Sequence, residues 1–136
     1  RRLTAWFTVP RRSTSTTGRS MKDTLQAGLT GEATVTVIPQ MSPPHLREKV
    51  LSTPEMVRLI EETCLDGVQP HLDEDETSVG THVNFSHVAK VVAGEQVHIT
   101  YELTEVDRRR LEFATRVTCG DRLVSEGTHQ RFVVRH

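Results

Sequence analysis

A carboxylate at the edge of a predicted helix is the first candidate for chemistry in this sequence. Apolar residues recur at helical spacing over 56–64, and at about 100° per residue Glu61 lies roughly 85° from the centre of the apolar face. Partial burial at such a position raises the pKa of a carboxyl group and suits it to act as a base or nucleophile. Glutamates at such a boundary also commonly extend into solvent, so both interpretations of Glu61 stay open.

Thr53 and His87 are two further polar residues at positions where a site could form. Thr53 belongs to the run Ser-Thr-Pro-Glu at 52–55, which predicts a helix start with a hydroxyl N-cap and proline in the first turn. Its hydroxyl could cap the helix, and it also stands beside a helix N-terminus, which favours developing negative charge. His87 closes a glycine-led run, 80–87, whose pattern is typical of a strand.

The remaining histidines and the cysteines lack the spacing of a metal site. The chain has seven dispersed histidines, and His82 and His87 would face opposite sides of a strand. Cys64 falls on the apolar face of the predicted helix and is interpreted as a core residue, and neither it nor Cys119 belongs to a C-x-x-C pair. Sequence motifs for nucleotide binding, serine hydrolysis and zinc binding are absent. We therefore expect no metal and no cofactor.

Length and charge narrow the class of protein. The chain has 136 residues, of which 35 % are hydrophobic and 26 % charged, which predicts one compact domain. No apolar stretch approaches the roughly 20 residues of a membrane span, so we expect no membrane partner. Five arginines and no acid lie in residues 1–20, which leaves 12 basic and 18 acidic side chains in residues 21–136. A domain with that acidic excess is a poor match for nucleic-acid phosphates.

The basic stretch 1–20 differs in composition from the rest of the chain. It is rich in arginine, serine and threonine, as organelle transit peptides are. The alternative is an extension or tag ahead of a natural start at Met21. We expect a single domain over 21–136 and a cytoplasmic location, as two unpatterned cysteines fit a reducing compartment; mitochondrial is the alternative if 1–20 is a transit peptide.

The elements that must position these side chains form a simple pattern. Alternating apolar residues predict strands near 31–38, 80–87, 97–103, 111–117 and 123–134, the last of them interrupted by Gly127. Gly67 is a plausible helix stop, and residues 73–76 predict an acidic turn. Short connections favour antiparallel pairing, and a single sheet must bury its apolar face against the one helix. The sequence therefore predicts an α+β fold. Arg131 falls in the last strand, where most arginines lie at the surface.

Three segments, taken in order, resemble the fluoroacetyl-CoA thioesterase-like family of hotdog-fold acyl-CoA thioesterases. They are the Thr-x7-Glu spacing from Thr53 to Glu61, the Gly-Thr-x5-His run over 80–87, and the closing Gly-Thr-His-x-Arg at 127–131. The resemblance extends from about residue 30 to the C-terminus. It implies a hotdog fold, in which a curved antiparallel sheet of about five strands wraps around one long helix.

The resemblance also implies an activity and a set of residues. It implies hydrolysis of an acyl-CoA or related acyl thioester to the free acid and CoA, with CoA entering as part of the substrate. The catalytic residues would be Thr53, Glu61 and His87, and the substrate-binding residues Gly80 and Arg131. The resemblance further implies a homodimer, with the active site at the subunit interface.

One departure from the family concerns the segment between the first strand and the helix. The relative that hydrolyses fluoroacetyl-CoA has a longer, phenylalanine-rich lid there, whereas residues 39–52 are fewer and include no aromatic side chain. We therefore expect a broader acyl-thioester hydrolase rather than one for the fluorinated substrate. The alternative is a non-catalytic acyl-thioester binding or sensing module on the same fold.

Overall fold

A computed structural model of the chain describes residues 21–136, and the expectations about residues 1–20 lie outside that range. Within it, one long helix and five strands account for most of the chain. They are β1 (Thr30–Thr36), α1 (Thr53–Val68), β2 (Glu76–Phe85), β3 (Gln96–Asp107), β4 (Arg110–Cys119) and β5 (Arg122–Arg135), with short 3-10 turns at Pro39–Met41 and Gln69–His71.

The strands form one sheet that packs against α1. The order is β1-β3-β4-β5-β2 and every neighbouring pair is antiparallel, so β1 and β2 are the edges. The buried side chains facing the helix include Val97, Ile99, Leu103, Leu111, Phe113 and Val117, and α1 contributes Met56, Leu59, Ile60, Cys64 and Val68. The predicted α+β fold, an antiparallel five-stranded sheet with one long helix, is confirmed.

The start of α1 differs from one interpretation of the sequence. Ser52 is the N-cap, and its hydroxyl accepts a hydrogen bond of 3.3 Å from the Glu55 amide. Thr53 is the first helical residue, so the capping role considered for Thr53 is wrong. Because Ser52 satisfies the helix end, the Thr53 hydroxyl is available for another partner.

Two glycines serve purposes other than those predicted. Gly67 lies inside α1 rather than ending it, and a Cβ there would collide with the phenol of Tyr101. The helix instead ends before the turn that contains Pro70. Gly127 does not interrupt β5, because it permits a close approach of the Asn84 carbonyl on β2.

A buried ion pair ties the beginning of β2 to the β3–β4 turn. Glu76, predicted to lie in an acidic turn, is fully buried and starts the strand. Its carboxylate accepts from Arg109 Nη2 at 2.6 Å and from the Asp73 amide at 3.0 Å, and Arg109 Nε also donates to the Val133 carbonyl at 3.0 Å. This pair fixes the strand that leads to Gly80.

Replacing Arg109 by methionine is expected to lower the free energy of unfolding by about 3 kcal/mol, because it breaks the ion pair that Arg109 makes with the buried Glu76 carboxylate. The neighbouring Arg110→Met is the matched control, since Arg110 pairs with the more exposed carboxylates of Glu105, Asp107 and Glu112. That change should cost less than about 1 kcal/mol. Urea unfolding at a fixed protein concentration measures both, and equal effects would contradict the assignment.

Candidate active site

The first group of site residues is a hydrogen-bonded pair at the beginning of α1. The Thr53 hydroxyl lies 2.8 Å from Nδ1 of His87. His87 lies two residues beyond the end of β2, whereas the sequence placed it within a strand. The amides of Ser86 and Val88 donate to β5 carbonyls at 3.0 and 2.8 Å, which holds the chain on both sides of His87. The pair is therefore fixed in position although Thr53 is exposed.

The second group surrounds a buried guanidinium on β5. Arg131 is only 4 % exposed, so its interpretation as a surface arginine is wrong. Its Nε and Nη2 donate to the Ser78 hydroxyl and carbonyl at 2.7 and 2.8 Å. Its Nη1 lies 3.4 Å from Oε1 of Glu61, whose side chain is 35 % exposed. Burial lowers the pKa of Arg131, and the Glu61 carboxylate opposes that shift.

His129 is a member of this second group that the sequence analysis missed. It is fully buried, its Nδ1 lies 2.8 Å from the His82 carbonyl, and its Nε2 lies 3.2 Å from Nη1 of Arg131. The rings of Phe85 and Phe113 lie 5.8 and 5.9 Å from its own. The sequence did contain a signal for His129. Residues two apart in a strand point to the same face of the sheet, so His129 lies on the same face of β5 as Arg131.

Gly80 lies directly against the Glu61 carboxylate. It pairs with Arg131 across β2 and β5. A Cβ at position 80 would collide with Oε1 of Glu61 and would lie 3.3 Å from the His129 ring and 3.4 Å from Nη1 of Arg131. The absence of a side chain at position 80 therefore leaves the space that the Glu61 carboxylate occupies.

The two groups lie at different levels of the helix. Eight residues separate Thr53 from Glu61, which is about 12 Å of helical rise. Within residues 21–136, no hydrogen bond or ion pair joins Glu61 to Thr53 or His87. The protomer thus brings together Thr53 with His87, and separately Glu61 with Gly80 and Arg131.

Neither a reactive thiol nor a metal cluster accompanies these groups in the part of the chain described. Cys64 is buried one turn after Glu61, and burial raises its pKa to about 12, which keeps it protonated. This confirms its interpretation as a core residue. No cluster of three or more His, Cys, Asp or Glu side chains suited to a metal ion occurs between residues 21 and 136. The described range contains no helix with the length and hydrophobicity that spanning a bilayer requires.

The arrangement of sheet and helix identifies the fold of the chain. A solved structure from Thermus thermophilus, described as a thioesterase superfamily member, superposes with a TM-score of 0.73 at 19 % identity, over 80 % of this chain and 83 % of that one. At that identity the likeness establishes the fold alone, which is the hotdog fold.

The particular family follows from closer relatives. Residues 30–136 match the family described as fluoroacetyl-CoA-specific thioesterase. A crystal structure of a variant of that thioesterase superposes with a TM-score of 0.79 at 30 % identity, over 84 % of this chain and 91 % of that one. The fluoroacetyl-CoA thioesterase of Streptantibioticus cattleyicolor is 35 % identical over 86 residues, which are 63 % of this chain and 62 % of that relative's length. The chain belongs to the fluoroacetyl-CoA-specific thioesterase family.

Proposed function

We propose that this protein hydrolyses acyl-CoA to a free acid and CoA at a site shared by two protomers. Family membership supports the reaction class. The observation that carries the proposal is the Glu61 carboxylate, which is partly exposed and lies 3.4 Å from a buried guanidinium that is also bound by Ser78 and His129. A carboxylate fixed in this way is suited to attack at a carbonyl or to activate water beside one.

Each residue has a defined part in the proposed reaction. Glu61 either removes a proton from the attacking water or attacks the carbonyl itself, forming a mixed anhydride that water then cleaves. Water's oxygen ends on the acyl carbon, the carbon–sulfur bond breaks, and His87 supplies the proton that the departing thiolate takes up. Thr53 holds the His87 ring through its hydroxyl. At Gly80 the acyl group can approach the backbone, whose N–H faces the developing oxyanion.

The edge strand β2 supports the homodimer. Residues 79–84 are exposed, with Val79 and Val83 among them, and an unpaired edge of this kind is a template for a second strand. Antiparallel pairing of two β2 strands near residue 83 sets position 80 of one protomer opposite position 86 of its partner. Glu61 and Gly80 would then face the Thr53–His87 pair of the other subunit. The dimer would thus bring together the two groups of residues that lie apart within one protomer.

Release of free CoA tests the reaction directly. Purified protein is mixed with a panel of acyl-CoAs from acetyl to long-chain, including fluoroacetyl-CoA, and thiol is measured over time. We expect release well above the buffer rate and no special preference for fluoroacetyl-CoA, since residues 39–52 lack aromatic side chains. Tight binding without thiol release would instead support the binding or sensing module.

Two cations near the start of α1 support CoA as the carrier of the acyl group. Arg47 and Lys49 are two residues apart in the sequence, and neither forms an ion pair with a carboxylate among residues 21–136. The Lys49 carbonyl accepts from the Ala93 amide at 2.9 Å, which anchors this segment four residues before Thr53. Phosphates of CoA would supply the missing negative charge.

The double variant Arg47→Gln/Lys49→Gln is expected to raise KM for an acyl-CoA about tenfold, a loss of about 1.4 kcal/mol in binding. KM should stay unchanged for the same acyl group on N-acetylcysteamine, which has no phosphate. Arg108→Gln is the control, because Arg108 also forms no ion pair with a described carboxylate but lies on the β3–β4 turn. Equal changes for both substrates would contradict phosphate recognition.

Gly80→Ala is expected to lower kcat by about 10- to 100-fold while the protein still folds. The new Cβ collides with the flexible end of the Glu61 side chain. The carboxylate therefore moves away from Arg131, and the backbone keeps its position. Displacements of about 1 Å at a reacting group cost up to about 100-fold. Steady-state thiol release and the thermal midpoint are measured together, and unchanged kcat in a folded variant would contradict this position for Glu61.

A further inference from the structure

We infer that His129 is a positioning residue, a neutral imidazole whose Nε2 holds Nη1 of Arg131 against the Glu61 carboxylate. The inference deepens the proposed function and rests on it, since Glu61 is the group that acts on the thioester.

The two hydrogen bonds of the ring determine which nitrogen carries the proton. Nδ1 lies 2.8 Å from the His82 carbonyl, and a carbonyl oxygen can only accept, so Nδ1 donates. Nε2 lies 3.2 Å from Nη1 of Arg131, and a guanidinium can only donate, so Nε2 accepts. Only the neutral ring with its proton on Nδ1 makes both bonds.

The surroundings of the ring favour that neutral form. His129 is fully buried and lies beside the aromatic rings of Phe85 and Phe113. Burial lowers the pKa of His129 and is the largest effect; the bond to the His82 carbonyl and the charge of Glu61 oppose it, and the charge of Arg131 adds to it. Nε2 lies 3.9 Å from Oε1 of Glu61, beyond hydrogen-bond distance, so His129 reaches the carboxylate only through Arg131.

The partners of the three Arg131 nitrogens explain why the contact between His129 and Arg131 affects Glu61 in particular. Nε and Nη2 are bound by Ser78 whether or not an imidazole is present. Nη1 is the nitrogen that faces Glu61, and His129 is its second partner. Without the imidazole acceptor, the planar guanidinium keeps its two bonds to Ser78 but can tilt about them as a unit. This tilt moves Nη1 away from the Glu61 carboxylate, so the consequence falls on the reacting group.

Two substitutions of different kinds separate hydrogen bonding from packing. His129→Leu fills the space without an acceptor and is expected to lower kcat about 10- to 100-fold with KM changed less than about threefold. His129→Gln, whose amide can donate to the His82 carbonyl and accept from Arg131, is expected to stay within about fivefold of the original kcat. A Gln variant as impaired as the Leu variant would overturn the inference.

A double-mutant cycle tests whether His129 acts through Arg131. In an Arg131→Met background, His129→Leu is expected to change kcat by less than about twofold, because the group it positions has gone. The same fold-loss in both backgrounds would show that His129 acts by packing alone or by direct contact with substrate, and would overturn the inference.

The tautomer can be measured without any variant. Nitrogen-15 NMR of the wild-type imidazoles is expected to show one neutral ring protonated on Nδ1 that stays neutral when the exposed histidines titrate, and this resonance should be absent in His129→Gln. A His129 proton on Nε2, or an imidazolium, would overturn the inference. A protein that releases no CoA would fail the proposed function while leaving this measurement intact.

Discussion

Glu61→Gln is expected to lower kcat by at least about 100-fold, the scale typical of removing a general acid or base. The amide keeps the size of the side chain and an oxygen for Nη1 of Arg131, 3.4 Å away in the native arrangement. It lacks the charge needed to take a proton from water or to attack a carbonyl. Steady-state thiol release with the best acyl-CoA of the panel measures the effect, and KM should change little.

Glu62→Gln provides the matched control on the same helix. Glu62 faces solvent and pairs with Arg58 at 2.9 Å, an exposed pair of little energetic weight. Its replacement should leave kcat within about twofold of the original. If Glu61→Gln kept more than a tenth of the activity, the carboxylate would not be the group that carries the reaction.

His87→Ala is expected to cause the second large loss, again at least about 100-fold in kcat. The departing sulfur then leaves without a proton donor, and Thr53 loses the ring it holds at 2.8 Å. The loss should shrink on thioesters of more acidic thiols, whose thiolates depart without help. His98→Ala is the control, since His98 lies on β3 and bonds to Thr34 and Glu32 on β1.

An equal loss for acidic and ordinary thiol leaving groups would contradict proton donation by His87. It would leave the ring a role in orienting the substrate or the water. The comparison needs only one acyl group on two thiols, measured with wild-type protein and with His87→Ala.

Local periodicity predicted the architecture and the position of Glu61. Alternation in β3 and β4, and helical spacing along α1, indicated which faces are buried, and these patterns depend on neighbouring residues alone. The helix-face angle placed Glu61 at the boundary of the core, and its side chain is 35 % exposed. The order of strands and helix was enough to predict an α+β fold.

The buried polar group could not be predicted, because its partners are distant in sequence. An arginine in a strand is commonly exposed, since burial of an unpaired charge is costly. Arg131 is buried because Ser78, 53 positions away, and Glu61, 70 positions away, supply acceptors. The prediction that Thr53 caps the helix was wrong for a different reason. Ser52 and Thr53 both carry hydroxyl groups, and a sequence pattern defines a helix boundary only to within about one residue.

Mixing two inactive variants tests most directly whether the site is shared between protomers. His87→Ala and Glu61→Gln subunits are unfolded together, refolded, and assayed for thiol release from acyl-CoA. If Glu61 of one protomer works with His87 of its partner, half of the dimers are mixed and each holds one intact site. Activity should then return to about one quarter of the wild-type value. Mixed protein no more active than the two parents would contradict the shared site.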